Sequence, residues 1–558
     1  MSAHLLAVLE RSREDFSPGA AQRKLAALRV LARARLTTAE QVRRLHEVLC
    51  FMRAYPDSAA VLRAVERMLQ GFARRQDLRA QREALEHTGI AGTAIWFPFF
   101  YPTVRWIAQR WPDALRLDRN DTVAEESIAK ALPALLSPLE SHALREAHLP
   151  GYRALDALRG RRTDATFLVE RVAAMPGDEV TRETFYDLIN PSCELHAATG
   201  TPSRTTAIYP RAPRAWQTTP LRRARPDLRA ELARPPRSLR HVSASEGQAL
   251  VTLAREAMLT RQRDLDAFAH GHAADVWLCE DGGGLAFALI GSEPQRRVPL
   301  PAIYGGLTLY NGVPLGYLQA DLLGRSVAVS FNTFETFRGG ESAHTFARAL
   351  AALRAFGGAT SFSIEPYQLG QGNDEGIDSG AWWFYFKLGF RPRARAALRL
   401  AAIEAQQQRA QPGYRSAPET LRQLAAHHVF LDLDANHPAP LLLPTHIGLR
   451  VGAHLATLAP EDRAAAVERA STEALRRCGL DSLQGFTRDQ RAAWLRLAPL
   501  FAALPMSGWT AAERAALVPL ARAKGARSER GYARLTAAHA RLEQALAAWS
   551  SPADRPSR

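Results

Sequence analysis

The sequence predicts an α+β fold, a mixed sheet with crossing helices, flanked by all-α N- and C-terminal regions. Three observations carry this expectation. Residues 1–85 and 394–550 repeat apolar side chains at spacings of three and four, the period of helices with one buried face. Residues 271–331 run in short apolar or alternating segments broken by Gly282-Gly283-Gly284 and Asn311-Gly312, the punctuation of hairpins. From Ser326 to Phe390 a strand, a glycine turn, an amphipathic helix, a further strand and an aromatic helix follow one another. At roughly 150 residues per domain, 558 residues imply three or four units. They divide as a mostly helical region over 1–200, an Arg/Pro-rich linker over 201–237, the sheet domain over 238–393, a mainly helical region over 394–550, and a disordered tail over 551–558.

In the first region Val42, Leu45, Val48 and Leu49 share one helix face, and Val61, Leu62, Val65 and Leu69 share another, with arginines opposite. GIAGTAIWFPFFYPTVRWIAQRW then concentrates aromatics. A cluster buried between helical layers accounts for it better than a binding surface. Asp121 and Glu126 open a further helical stretch. In Arg211–Arg240 arginines crowd among prolines, which suppress a helix. Two readings stand: a solvated connector wrapping the next domain, and a basic arm lying on RNA or an acidic partner.

At Ser238 regularity returns. SLRHVSA reads as a strand, and Ser245 with Gln248 forms a capping box for the helix that follows. SVAVSFNTF buries Val327, Val329 and Phe331 on one face and leads through Arg338-Gly339-Gly340-Glu341-Ser342-Ala343 into a helix striped with Phe346, Leu350 and Leu353. A strand running through a glycine turn into a helix N-terminus presents free amides and the positive dipole end, a physical anion site. Beyond 393, HHVFLDL suggests a last strand, Thr510 and Glu513 a capping box, and Tyr532, Leu535, His539, Leu542 and Leu546 the stripe of a final helix.

The totals bound the function. Net charge is +16, and only Lys24, Lys130, Lys387 and Lys524 of the 72 basic residues are lysines, a usage that reflects a GC-rich genome as much as nucleic-acid binding. The scattered Cys50, Cys193, Cys279 and Cys478 form no C-x-x-C pair, and AIWFPFFYPTV is too short and proline-broken to span a bilayer. A cytoplasmic protein without membrane association is expected. Asp432-x-Asp434-x-Asn436 lacks the glycine and distal glutamate of a calcium loop, and the histidine pairs lack third ligands, so no metal is expected.

NGVPLGY, RGGESA and Ala381-W-W-F-Y-F-K-L-G-Phe390 occur in the order and separation seen in the GNAT superfamily of acyl-coenzyme A N-acyltransferases, and residues 238–393 resemble that family. The resemblance implies an acyl-CoA, most simply acetyl-CoA, as cosubstrate, and a primary amine on a small molecule or protein as acceptor. It implies that the strand carrying Phe331, Asn332 and Thr333 pairs with the pantetheine arm. The amides of Gly339, Gly340, Ser342 and Ala343 would hold the pyrophosphate beside Arg338, and Tyr385 would protonate the leaving thiolate. An attacking ammonium must lose a proton, and Glu335 and Glu365 are both candidate bases. Glu341 stands where the family has glycine: turned inward it would oppose phosphate, turned outward it is an ordinary first-turn acid. The alternative function is a non-catalytic scaffold of degenerate acyltransferase fold, its arginine arm contacting RNA or an acidic partner.

Overall fold

The structure is a computed structural model that describes residues 2–550; the tail expected to be disordered at 551–558 lies outside the described residues. A mixed α/β domain with a multi-stranded sheet sits between helical regions. The N-terminal region is not purely helical. β1 (Ile95–Phe97), β2 (Leu115–Leu117) and β3 (Cys193–Leu195) form a small antiparallel sheet with β3 central. Three-residue strands are too short to show a period, which is why the pattern hides them. Phe99 and Tyr101 of the aromatic stretch are buried in this region's core, whereas Phe100 is exposed.

The main sheet contains β4 (Ser238–His241), β5 (Gly271–Gly282), β6 (Leu285–Ser292), β7 (Ala302–Tyr310), β8 (Val313–Leu323), β9 (Ser326–Thr333), β10 (Ser361–Ile364), β11 (Arg391–Pro392) and β12 (Val429–Asp432). Their spatial order is β11-β12-β10-β9-β8-β7-β6-β5-β4. All neighbours are antiparallel except β9 and β10, which the crossover helix Ser342–Gly357 joins in parallel. That helix ends at Gly358, φ 80°, which supplies the left-handed cap. The strand expected in HHVFLDL is β12, inserted between β10 and β11.

One sheet face, with Phe287, Leu289, Leu318, Ala320, Val327 and Val329, shares a core with helix Ser342–Gly357 and the C-terminal helices. The other face, with Ala288, Ile290 and Leu307, is covered by helix Ala244–Leu259 and by Phe51 and Ala54 of helix Ala39–Ala54. The cap of helix Ala244–Leu259 is Ser243, whose hydroxyl accepts from the Glu246 amide at 3.2 Å, two residues earlier than the Ser245–Gln248 box. The last stripe is two helices, Arg530–Ala538 and Ala540–Ser550, that meet at His539, and Leu535 is exposed. No helix among the described residues is long and apolar enough to cross a membrane.

The β7–β8 turn fastens three parts of the chain. Asn311 and Gly312 both take positive φ, 50° and 81°, as a two-residue hairpin turn requires. The Asn311 amide donates to the carbonyls of Ala54 at 2.8 Å and Ala215 at 3.1 Å, and its oxygen accepts from the Ala215 amide at 2.7 Å. The Gly312 carbonyl accepts from Tyr209 N–H at 2.8 Å. A Cβ on Gly312 would lie 2.3 Å from the Tyr209 oxygen. Gly312→Ala is therefore expected to cost on the order of 1–3 kcal/mol in urea unfolding; an unchanged midpoint would show that the turn relaxes freely.

The arginine-rich stretch wraps the sheet domain. Tyr209, Leu221, Leu228 and Leu232 are buried, Leu228–Ala233 is a short helix, and Arg229 donates to the carbonyls of Leu433 and Asp432 at 3.0 and 3.2 Å. Arg222, Arg223 and Arg225 face solvent.

Candidate functional site

The site grows from a mismatch between two strands. β9 pairs with β8 along its whole length, from Ser326 opposite Leu323 to Thr333 opposite Gly316. It pairs with β10 only from Ser326 to Ala328, opposite Ser361–Ser363. β10 ends at Ile364 because Glu365 is followed by Pro366, which has no N–H to continue a ladder. Val329–Thr333 therefore form one wall of a wedge, and Phe331, Asn332 and Thr333 lie on it. Phe331 packs on Phe346 with ring centroids 5.1 Å apart, and Phe346 meets Tyr385 edge-on at 5.5 Å. Tyr385 is buried, which pushes its phenol well above the usual range, and its hydroxyl has no hydrogen-bond partner among the described residues.

Beyond Thr333 the chain makes a single 3-10 turn, Glu335–Phe337, so Glu335 stands on a turn rather than on the strand. Arg338 Nε donates to the Thr333 carbonyl at 3.1 Å, and its Nη2 donates to Glu375 at 2.9 Å. Gly339 takes φ 79°, Gly340 follows, and the helix begins at Ser342. The amides of Ser342 and Ala343 belong to the first turn, where the helix offers no acceptor.

Glu341 adopts neither orientation expected of it. Its side chain is buried and turned onto the connector, where the carboxylate accepts from the Arg222 amide at 2.8 Å, and it makes no cap to its own helix. The Arg222 guanidinium lies 3.1 Å from His344 Nε2. The carboxylate is thus committed beside the first turn rather than in front of its amides.

A carboxylate the sequence reading passed over lies at the apex of the wedge. Asp321 on β8 is opposite Ala328, which is opposite Ser363, the last rung before β9 and β10 part. Burial pushes its acid up to about 6, with the like charge of Glu365 adding, against the Gln319 side-chain amide that donates to it at 2.9 Å. Glu365 itself is exposed just past the end of β10, not on the strand. The signal for Asp321 was in YLQADLL: Leu318, Ala320 and Leu322 face the core, so Tyr317, Gln319 and Asp321 share the opposite face. No protein-family model, curated protein or solved structure matches this chain. Its chemistry has to be argued from the site alone.

Among the described residues one cluster, Glu183, Asp266 and His270, brings potential metal-ligand atoms within 4.8 Å of one another. The Arg296 guanidinium already contacts Glu183 and lies 3.1 Å from His270 Nε2, so a cation occupies that charge. The cluster is an ion-pair network, remote in sequence from the wedge.

Proposed function

We propose that this chain is an acyl-CoA dependent N-acyltransferase, using acetyl-CoA in the simplest case, that acts on a primary amine by direct attack on the thioester. The observation that carries this reading is the wedge between β9 and β10, which leads to a helix N-terminus flanked by Arg338. An extended amide-bearing arm in the wedge would replace the lost strand partner of Val329–Thr333. Phosphate oxygens would meet the amides of Gly339, Gly340, Ser342 and Ala343.

In the reaction the acceptor ammonium first gives a proton to a base. The free amine then attacks the thioester carbonyl, and the C–N bond forms as the C–S bond breaks. Tyr385, held protonated by burial, gives its proton to the thiolate and regains one from the new amide nitrogen, which must lose its extra proton to become neutral. Of the three carboxylates, Asp321 suits the base best: it titrates near 6, so above that pH it is ionised yet still basic enough to accept a proton. Glu335 and Glu365 are exposed and stand off the strands that form the wedge.

Calorimetric titration with coenzyme A tests the reading. Saturable binding is expected, weakened by roughly tenfold or more in Arg338→Glu, the worth of one charge-assisted contact. Gly339→Trp should weaken binding as well, and Tyr385→Phe should slow turnover without changing affinity. Absence of binding at millimolar coenzyme A removes the proposal.

The Arg222–Glu341 contact favours a second reading, because it lays the connector against the phosphate loop. There the fold is a non-catalytic scaffold, and the exposed Arg222, Arg223 and Arg225 contact RNA or an acidic partner. Salt-sensitive RNA binding, lost when these three become glutamate, together with no coenzyme A uptake, would select it.

A further inference from the structure

We infer that the cleft between the N-terminal helical region and the sheet binds the anionic group of a small zwitterionic acceptor, a primary amine that also carries a phosphate or a carboxylate. The word acceptor rests on the acyltransferase reading; the anion site does not.

The cleft has a volume of about 390 Å³, enough for a small metabolite. It opens on Asn332, Phe334 and Glu335, so it is continuous with the β9 wall of the wedge. Arg43, Arg204, Arg261, Arg263 and Arg338 line it, against the carboxylates of Glu335 and Glu375. Four of these arginines are already answered by acids: Arg43 by Glu40 at 2.9 Å, Arg338 by Glu375 at 2.9 Å, Arg263 by Glu375 at 3.5 Å, and Arg204 by Glu47.

Arg261 is different. It has no carboxylate partner; it donates to the Ala257 carbonyl at 2.9 Å and lies over the Phe334 ring at 3.8 Å. Burial and the neighbouring Arg204 charge push it down to about 9. Arg204 pairs with Glu47, yet both Arg204 and Arg261 keep a buried Nε–H without an acceptor, and the Asn332 side-chain oxygen is buried without a donor. Buried polar groups are nearly always satisfied, and a buried guanidinium without a counter-charge is costly. An anion entering the cleft beside Arg204 and Arg261 supplies the counter-charge that Arg261 lacks. The same cleft carries Glu335, which forms no ion pair within 4 Å among the described residues, and its carboxylate attracts the ammonium end of such a ligand. An acceptor with both charges satisfies each set, whereas a neutral-tailed amine leaves the arginines as they are.

The test is calorimetry on the full chain at low salt with phosphoethanolamine, β-alanine and ethanolamine, with coenzyme A titrated in parallel. Phosphoethanolamine or β-alanine is expected to bind at least about tenfold more tightly than ethanolamine, and whichever binds tighter identifies phosphate or carboxylate as the anion. Arg261→Gln is expected to remove about tenfold or more of that affinity. Arg263→Gln, at a partly exposed position, should remove severalfold, and Arg488→Gln, exposed at the start of a C-terminal helix and outside the cleft, should leave it unchanged. Ethanolamine binding as tightly as both anion-bearing probes overturns the inference, as does either absence of binding by both or affinity within about twofold in the two cleft variants. Anion binding without coenzyme A binding sinks the acyltransferase reading and leaves the site standing; the reverse outcome sinks the site alone.

Discussion

Asp321→Asn is expected to lower kcat for acyl transfer by about 10²–10⁴-fold while making the protein more stable. Both effects follow from one placement. The carboxylate is half-buried at the apex of the wedge, and its partial desolvation raises its acid from 3.8 to about 6. The folded state therefore binds this proton more tightly than the unfolded chain. Stability from this group is fully present below pH 4, falls as pH rises between about 4 and 6, and stays lower above that window. An uncharged amide escapes the loss and can still accept from Gln319, so a gain on the order of 1–3 kcal/mol is expected in urea unfolding at pH 7, and little change near pH 4. The kinetic signature has the opposite sense. In the parent protein kcat/KM should climb with pH to a plateau above about 6 as the base ionises, and the variant should lack that limb. Unchanged turnover would remove Asp321 from the mechanism, and loss of activity together with stability would assign it a packing role. A gain in stability bought with activity is what a strained functional group produces.

The parts legible in the sequence were those set by short-range rules. Asn311-Gly312 announced its hairpin because such pairs accept two positive φ values. Helix Ser342–Gly357 and β9 followed from period alone. Pairing between distant strands was not legible: nothing in SFSIEPY states that β10 leaves β9 after three rungs, since that depends on both the proline and the register. Glu341 was suspect by position, but its outcome was set by the Arg222 amide, more than a hundred residues earlier in the chain. The cleft was hidden for the same reason. Arg204 and Arg261 are unremarkable in an arginine-rich chain until the fold brings them together and leaves each with an unmet Nε–H.

Arg297→Met is expected to destabilise the protein by about 3–5 kcal/mol, the cost of stripping a buried charge of its partner. Arg297 and Asp275 are each inaccessible, with Arg297 Nη2 3.4 Å from the carboxylate and Nε 3.6 Å from Glu529. The guanidinium also donates to the carbonyls of Ser292, Lys524, Ala526 and Arg527 at 3.1, 2.9, 2.5 and 3.0 Å. It thereby ties the end of β6 to the C-terminal region. Asp275 further accepts from the Tyr304 hydroxyl at 2.9 Å and the Glu529 amide at 3.0 Å, and Glu529 pairs with the buried Lys524 at 2.6 Å. Methionine fills much of the volume but leaves Asp275 and Glu529 short of one positive charge and four carbonyls without their donor. Adding Asp275→Asn removes one of the stranded charges, so the double variant should be more stable than the sum of the two single losses predicts. A single-variant cost below about 1 kcal/mol would mean that the network relaxes and does not hold the regions together. The effect should also reach the proposed phosphate loop. Tyr304 packs edge-on against Phe356 at 4.7 Å, and Arg530 donates to the Phe356 carbonyl at 2.9 Å, so this network supports the C-terminal end of the helix whose N-terminus is proposed to hold phosphate. If the helix moves as a rigid element, coenzyme A affinity should fall in Arg297→Met even at temperatures where the chain remains folded; unchanged affinity there would show that the network secures stability alone.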